Sequence, residues 1–403
     1  MKNFSLVYII GTYPGLTTTF IDREIRALQR QKVQVRIISI REPHTILSSD
    51  QNDLRKLTNY LIPVSWRKFI ATHLRFAFQK PAAYFGTLFE LVRNPHPDLS
   101  TRLKTILHFI EGVYAAGVIA EQPCDHLHAH FVDRASTVAL VAGKLLNLPY
   151  SVTAHANDIY INPILLPLKL SQASFVATCT DYNRQHLQKI APINVKLHRL
   201  YHGLDLETYQ PRTDQSTHGI PTITSVGQLK EKKGFQYLLK ACQILRSKDY
   251  IFKCQIIGEG SLRQELEHQI RELSLENFVT LRGALPHESV IEEYQHSTMF
   301  VLPCITGSDG DRDGIPNVIL EALAMQLPVI STQHSGIPEV IKSGVNGLLV
   351  PPSDEEALAY AIARLIDDPF LRAQFGQLGR RTVTERFNSM QNVGHLLDQM
   401  VKA

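Results

Sequence analysis

SDGDRDGIPNVILEALAMQLPVISTQHSGIPEVI, residues 308–341, is the stretch from which the fold can be read. A short apolar run closes at Pro303, and a loop of acids and glycines follows. Apolar residues then recur at helical spacing from about Pro316. Proline suits the first turn of such a helix, where its missing N–H costs nothing. A second β-type run, LPVIST, comes next, and a glycine-bearing turn at 335–338 opens a further helix. Strand, loop, helix, strand, loop, helix is the rhythm of a parallel sheet with helical crossovers. Backbone N–H groups of Gly314, Ile315, Asn317 and Val318, on either side of Pro316, would face whatever lies before the helix, and the helix dipole there favours an anion. Glu321, one turn in, can accept two hydrogen bonds from a vicinal diol such as a ribose. Taken alone, the same residues also describe an ordinary loop capped into a helix.

The rhythm extends in both directions. Upstream, strands are expected at 6–11, 33–40, 126–130, 150–154, 175–179 and 195–200, with helices at 19–31 and 135–146 and a helical insertion over about 66–120. Composition turns polar and turn-rich at 208–221, the best candidate linker. A second series follows, with strands at 222–226, 252–257, 278–281, 299–303, 329–331 and 347–350. The 403 residues exceed one ordinary domain and suit two. The expected fold class is α/β, with two Rossmann-like doubly wound domains facing across a cleft and the ligand at the carboxyl ends of the strands. Residues 1–207 form the first domain and 222–378 the second, with a final helix in 379–403 packing back on the first.

Composition narrows the function classes. Hydrophobic residues make up 44% and charged residues 20%, the balance of a globular protein with a real core in each half. A net charge of +4 suits phosphates or an anionic surface and is too weak to imply nucleic acid. The five cysteines are scattered, with no C-x-x-C pair, which reads as reduced thiols in a cytoplasmic protein. The opening MKNFSLVYIIGTYPG reads as a first buried strand rather than a cleaved leader. No apolar run is long enough for a transmembrane helix.

With these residues in view, the chain resembles the retaining glycosyltransferases of the GT-B fold, the family 4 type of polysaccharide and glycolipid synthesis. That family carries two acids separated by seven residues and then an EA-x-A-x-x-x-PV segment; here these fall on Asp313, Glu321 and EALAMQLPV. Asp313 stands where the family has glutamate, one methylene longer. SVGQLKEKKGFQYLLKA, residues 225–241, resembles the family's diphosphate-holding strand, loop and helix, with Lys233 on its lysine and Gln228 where arginine is usual. QIIGEGSLRQEL, residues 255–266, resembles the next turn, in which Gly258 and Gly260 allow close approach to the nucleotide. In the first half, GTYPGLTTTFIDREIRAL places Gly15 in a loop expected to face the pyrophosphate. VTAHANDIY places His155 beside the reacting sugar, whereas His128 and His130 read first as packing residues under the site.

The resemblance implies a nucleotide-sugar donor with Glu321 on its ribose, and Lys233 with the 314–317 amides on the leaving diphosphate. His155 and Asp313 would orient the transferred sugar. It implies transfer to a saccharide or lipid-linked acceptor with no cofactor and no metal, the acceptor hydroxyl attacking from the face the diphosphate leaves. Two other readings stay open: a non-catalytic nucleotide- or sugar-binding protein of the same fold, and a metal-dependent D-x-D glycosyltransferase using Asp309, Asp311 and Asp313. An EF-hand is excluded because its twelfth position is Leu320, not glutamate. Residues 64–92 interleave Arg67, Lys68, Arg75 and Lys80 with Trp66, Phe69, Phe76, Phe78, Tyr84 and Phe85. That pattern fits either packing on the first sheet or peripheral attachment to an anionic membrane surface at the inner face.

Overall fold

The computed structural model describes residues 4–15, 18–44, 47–161, 163–211 and 219–403. They form two compact units: Met1–Gly203 with Ser389–Ala403, and Leu204–Asn388. In the first, the chain runs β1 (Ser5–Thr12), α1 (Thr19–Arg30), β2 (Gln34–Arg41), α2 (Ser49–Leu57), β3 (Thr58–Tyr60), α3 (Trp66–Gln79), α4 (Pro81–Arg93) and α5 (Leu99–Ile119). It continues through β4 (His126–His130), α6 (Arg134–Leu146), β5 (Tyr150–Ala154), α7 (Ala156–Tyr160), α8 (Leu166–Gln172), β6 (Val176–Thr178), α9 (Asp181–Ile190) and β7 (Leu197–Arg199). The seven strands form one sheet in the order β3-β2-β1-β4-β5-β6-β7, every pair parallel.

At its centre Ile9 lies opposite Ile38 on one side and Ala129 on the other. Because side chains alternate along a strand, β1 feeds two cores. Leu6, Tyr8 and Ile10 pack with Ile21, Ile25 and Leu28 of α1. Val7 and Ile9 pack with Phe109 and Val113 of α5 and Val138 and Val141 of α6.

The second unit contains β8 (Thr222–Val226), α10 (Phe235–Ser247), β9 (Lys253–Ile257), α11 (Arg263–Glu272), β10 (Val279–Gly283), α12 (His287–Gln295), β11 (Met299–Leu302) and α13 (Asn317–Ala324). It ends with β12 (Val329–Thr332), β13 (Leu348–Val350), α14 (Glu355–Asp367) and α15 (Pro369–Arg386). Its six parallel strands run β10-β9-β8-β11-β12-β13, with Ile223 of β8 paired to Cys254 and to Met299. α16 (Ser389–Val401) belongs to the first unit, where Val393, Leu396 and Met400 join the α1 core.

Local structure departs from the sequence reading in places. Pro316 is not in the first turn of α13 but at its cap, with ψ 128°, and the helix proper starts at Asn317. Residues 337–339 make a single 3-10 turn and not a further helix. α2 and β3, unforeseen, extend the first sheet by an edge strand. The return to the first unit falls at Ser389, since α15 runs unbroken to Arg386 and stays with the second unit. The start of the expected linker is also inside the second unit: Tyr209 is buried and its hydroxyl lies 3.0 Å from His287 Nε2. Residues 212–218 of that linker lie outside the described residues.

Candidate functional site

The loops at the carboxyl ends of β8 and β11 bring the candidate donor residues together. After β8, residues 227–230 turn into a 3-10 turn over Glu231–Lys233 that presents two adjacent lysines. After β11 comes the acid-rich loop. Lys233 Nζ meets Asp313 Oδ2 at 2.6 Å. Lys232 Nζ meets Asp311 Oδ2 at 2.9 Å and Asp313 Oδ1 at 3.2 Å. The four side chains are only 12–17% exposed, so this is a shielded network and not a surface pair. Glu231 ties the same loops by accepting from Ser308 N (2.9 Å) and Oγ (2.7 Å).

Burial would raise the Asp313 carboxyl, but Lys233 and Lys232 overcome it and hold the group at about 2. For Lys232 the balance is similar: burial opposes the charge, and Asp313 and Asp311 raise its pKa regardless. Cys304 beneath them is pushed up to about 12, by burial first and then by Asp313. Lys233 and Asp313, read as touching different parts of a donor, are therefore one ion pair here. Lys232 was missed, and Asp311 was read only as a metal-ligand candidate. A KEKK run and a DGDRDG loop were visible, but a pairing across about 80 residues has no signature in spacing.

α13 begins four residues after Asp313, so Gly314, Ile315, Pro316 and Asn317 form the turn between this network and the helix. Glu321, one turn further, is 5% exposed, with His287 Nε2 at 3.9 Å. Tyr294 packs beside it: burial, then Glu321, raises its hydroxyl well above the ordinary range. Gln228 is exposed, and its carbonyl accepts from Lys230 N at 2.8 Å.

The glycines have a local packing purpose. Gly258 adopts φ +147°, and a Cβ there would overlap the carbonyl oxygen of Gly227. One added at Gly260 would overlap Leu229. These glycines let the β9 loop lie directly against the β8 loop, which positions the lysine turn.

In the first unit, Gly15 sits in the loop after β1, where its carbonyl accepts from Thr18 Oγ1 (2.9 Å) and Gln51 Nε2 (2.9 Å). Its neighbours Leu16 and Thr17 lie outside the described residues. His155 follows β5 at the N-terminus of α7, 8% exposed, its backbone N–H bonded to Asp158 Oδ1 at 2.7 Å. Its Nε2 lies 3.3 Å from His130 Nδ1, and His130 Nε2 lies 3.0 Å from Glu24 Oε1. Tyr8 donates to the same oxygen at 2.5 Å. Burial works against ionisation of Glu24, yet His130 holds it at about 2. Burial, then His202 and His130, keeps His155 well below the imidazole range and so neutral at pH 7. His202 stacks on its ring at 5.2 Å. His130 is thus more than packing, because it connects His155 to a buried carboxylate. Glu24 was missed although it lies in the quoted helix, five residues after its first.

Among the described residues, two groups hold three metal-type ligand atoms within 4.8 Å of one another: Glu24, His128 and His130, and His155, Cys179 and His202. In the first group the atoms are already bonded among themselves or to Ser151 and Thr153. Of the three D-x-D candidates, Asp311 and Asp313 pair with the two lysines, and Asp309 Oδ1 accepts from Asp311 N at 2.8 Å.

The comparisons with known proteins cover this part of the chain. Residues 211–382, which include the lysine turn, the acid loop and α13, match the family model of glycosyl transferases group 1. That match covers less than half of the chain. It is 39% identical over 163 residues to the amylovoran biosynthesis glycosyltransferase AmsK of Erwinia amylovora, covering 40% of each protein. To WcaL of Escherichia coli K12, named for colanic acid biosynthesis, it is 30% identical over 243 residues, 58% of this chain and 60% of that one. The matched part thus spans about half the length of these relatives. Over 99% of its length the chain superposes on Anabaena Alr3699/HepE, solved with UDP, with TM-score 0.74 at 14% identity. The fold is GT-B, built from two parallel-sheet α/β units of seven and six strands.

Proposed function

We propose that the chain is a retaining, metal-independent glycosyltransferase that moves a sugar from a nucleoside-diphosphate donor to a saccharide or lipid-linked acceptor in exopolysaccharide or glycolipid synthesis. One observation carries this reading: two shielded lysines stand at the carboxyl end of β8, against the turn that opens α13. Their positive charge is balanced by the carboxylates of Asp311 and Asp313. A donor diphosphate brings the same charge, so it replaces Asp313 on Lys233 rather than entering an apolar slot. Freed, Asp313 reaches the sugar hydroxyls. The α13 dipole and the 314–317 amides add stabilisation to the charge that grows as the glycosidic bond breaks.

Glu321 takes the ribose diol, within reach of His287. In the first unit, burial keeps His155 neutral and the His130–Glu24 pair orients it, the state that suits hydrogen bonding to a sugar hydroxyl. The acceptor hydroxyl attacks from the face the diphosphate leaves, and a leaving-group oxygen takes its proton, so the anomeric configuration is kept with no protein nucleophile. Screening UDP-, GDP- and ADP-sugars for nucleoside diphosphate release tests the reading. A protein that binds a donor and never releases product would be a binding module instead.

A further inference from the structure

The structure divides the aromatic residues of the helical insertion into two sets. Phe76 is buried, and Phe69 and Tyr84 pack against the core with Phe109. On the water side of α3, Trp66, Ile70, Leu74 and Phe78 recur every fourth residue and are 53–81% exposed. α4 exposes Phe85 and Phe89 at the same spacing, and α5 exposes Leu99, Leu103 and Leu107. Helices α3, α4 and α5 pack on one another, so one subdomain carries an apolar stripe on each of three helices besides the faces it buries. A helix that ends at water has polar residues there; repeated apolar stripes mark a surface that something covers.

Charge identifies what covers it. Residues 64–107 contain seven lysines and arginines against two acids. Of those acids, Glu90 is paired with Lys144 and Asp98 caps α5. The whole chain is only +4, so this segment carries its entire positive excess. A second copy of the same face would be repelled, whereas an anionic lipid surface is attracted, and aromatics interleaved with cations suit the headgroup depth. Among the described residues no helix is long and apolar enough to cross a membrane, so the contact is interfacial.

We infer that α3, α4 and α5 form a docking face for an anionic bilayer surface, with Trp66, Ile70, Leu74 and Phe78 entering the interface. This goes beyond the proposed reaction and does not depend on it.

Trp66 is the chain's single tryptophan, so its emission reports this face alone. Vesicles of phosphatidylcholine with phosphatidylglycerol are expected to shift the emission to the blue at low salt, and brominated lipid to quench it. Pure phosphatidylcholine should do much less. Replacing Ile70, Leu74 and Phe78 with serine, all exposed and so outside the packing, should abolish the shift with unchanged circular dichroism. Replacing Arg67, Lys68 and Arg75 with glutamine should weaken partitioning roughly 100-fold. Lys80 is left alone because it donates to Leu145 O at 2.7 Å. Unchanged emission with anionic vesicles, or a serine variant that binds like wild type, would overturn the inference. So would a blue shift that needs no vesicles and grows with protein concentration, which is self-association. Donor turnover measured without vesicles reports the catalytic reading separately.

Discussion

Lys233 and Asp313 lie 2.6 Å apart in a shielded network, which makes the donor site an exchange of anions. Removing either lysine's charge leaves carboxylates without their counter-ions and the diphosphate without its cation. Lys233→Ala is expected to lower turnover at least roughly 100-fold, the usual scale for one preorganised charge contact at a developing anion. Glu321→Ala should do the same through the ribose contact. Steady-state kinetics beside circular dichroism decides it: near-normal turnover in a folded variant removes that residue from the site. Much at this scale was legible. Glu321 and the 314–317 turn were readable because they sit at a helix start that spacing reveals, whereas Asp313 and Lys233 were named through the family resemblance. Lys232, Glu24 and the pairing of Asp311 with a lysine were not readable, because what singles them out is a partner far along the chain.

At the scale of elements, the loops after β8 and β9 are held backbone to backbone. Gly258→Ala introduces a side chain at φ +147° against Gly227, and its expected cost is about 3 kcal/mol or more, read by urea unfolding. An unchanged midpoint would mean that the two loops separate without penalty. The first sheet and the loops after its strands hold several shielded neutral histidines. His126 and His202 are lowered to about 4, chiefly by burial, and His128 and His155 lie well below their usual range. In the unfolded chain these groups take protons below about 6.5. Stability is therefore full above that pH and falls as pH drops toward 4, by up to about 1.4 kcal/mol per pH unit for each histidine. Thermal unfolding at pH 7, 6 and 5 checks this; a flat profile would contradict the buried neutral state. The parallel βα order was legible because its apolar runs are continuous. The edge strand β3 is three residues long and gave no such run, although Ser48 and Gln51 before it form a readable capping box. The aromatics of α3 and α4 were read as one set, and the four-residue spacing of Trp66, Ile70, Leu74 and Phe78 already distinguished the exposed ones.

At the scale of the whole molecule, both sheets are doubly wound. The candidate residues of each unit stand at the carboxyl ends of its strands, where such sheets bind ligands. The two-sheet organisation came through in the sequence because the rhythm breaks near residue 208 and restarts. The true boundaries, Gly203 and Ser389, depend on how Tyr209 and α15 pack, which no local pattern encodes. The central claim is sugar transfer driven by lysines and a helix terminus in place of a metal. The most direct test is acceptor-dependent release of nucleoside diphosphate from a panel of sugar donors in excess EDTA, with the product's anomeric configuration read by NMR. The account predicts release that survives chelation and a product that keeps the donor's configuration. Release that stops with EDTA and returns with a divalent ion, or an inverted product, would contradict it.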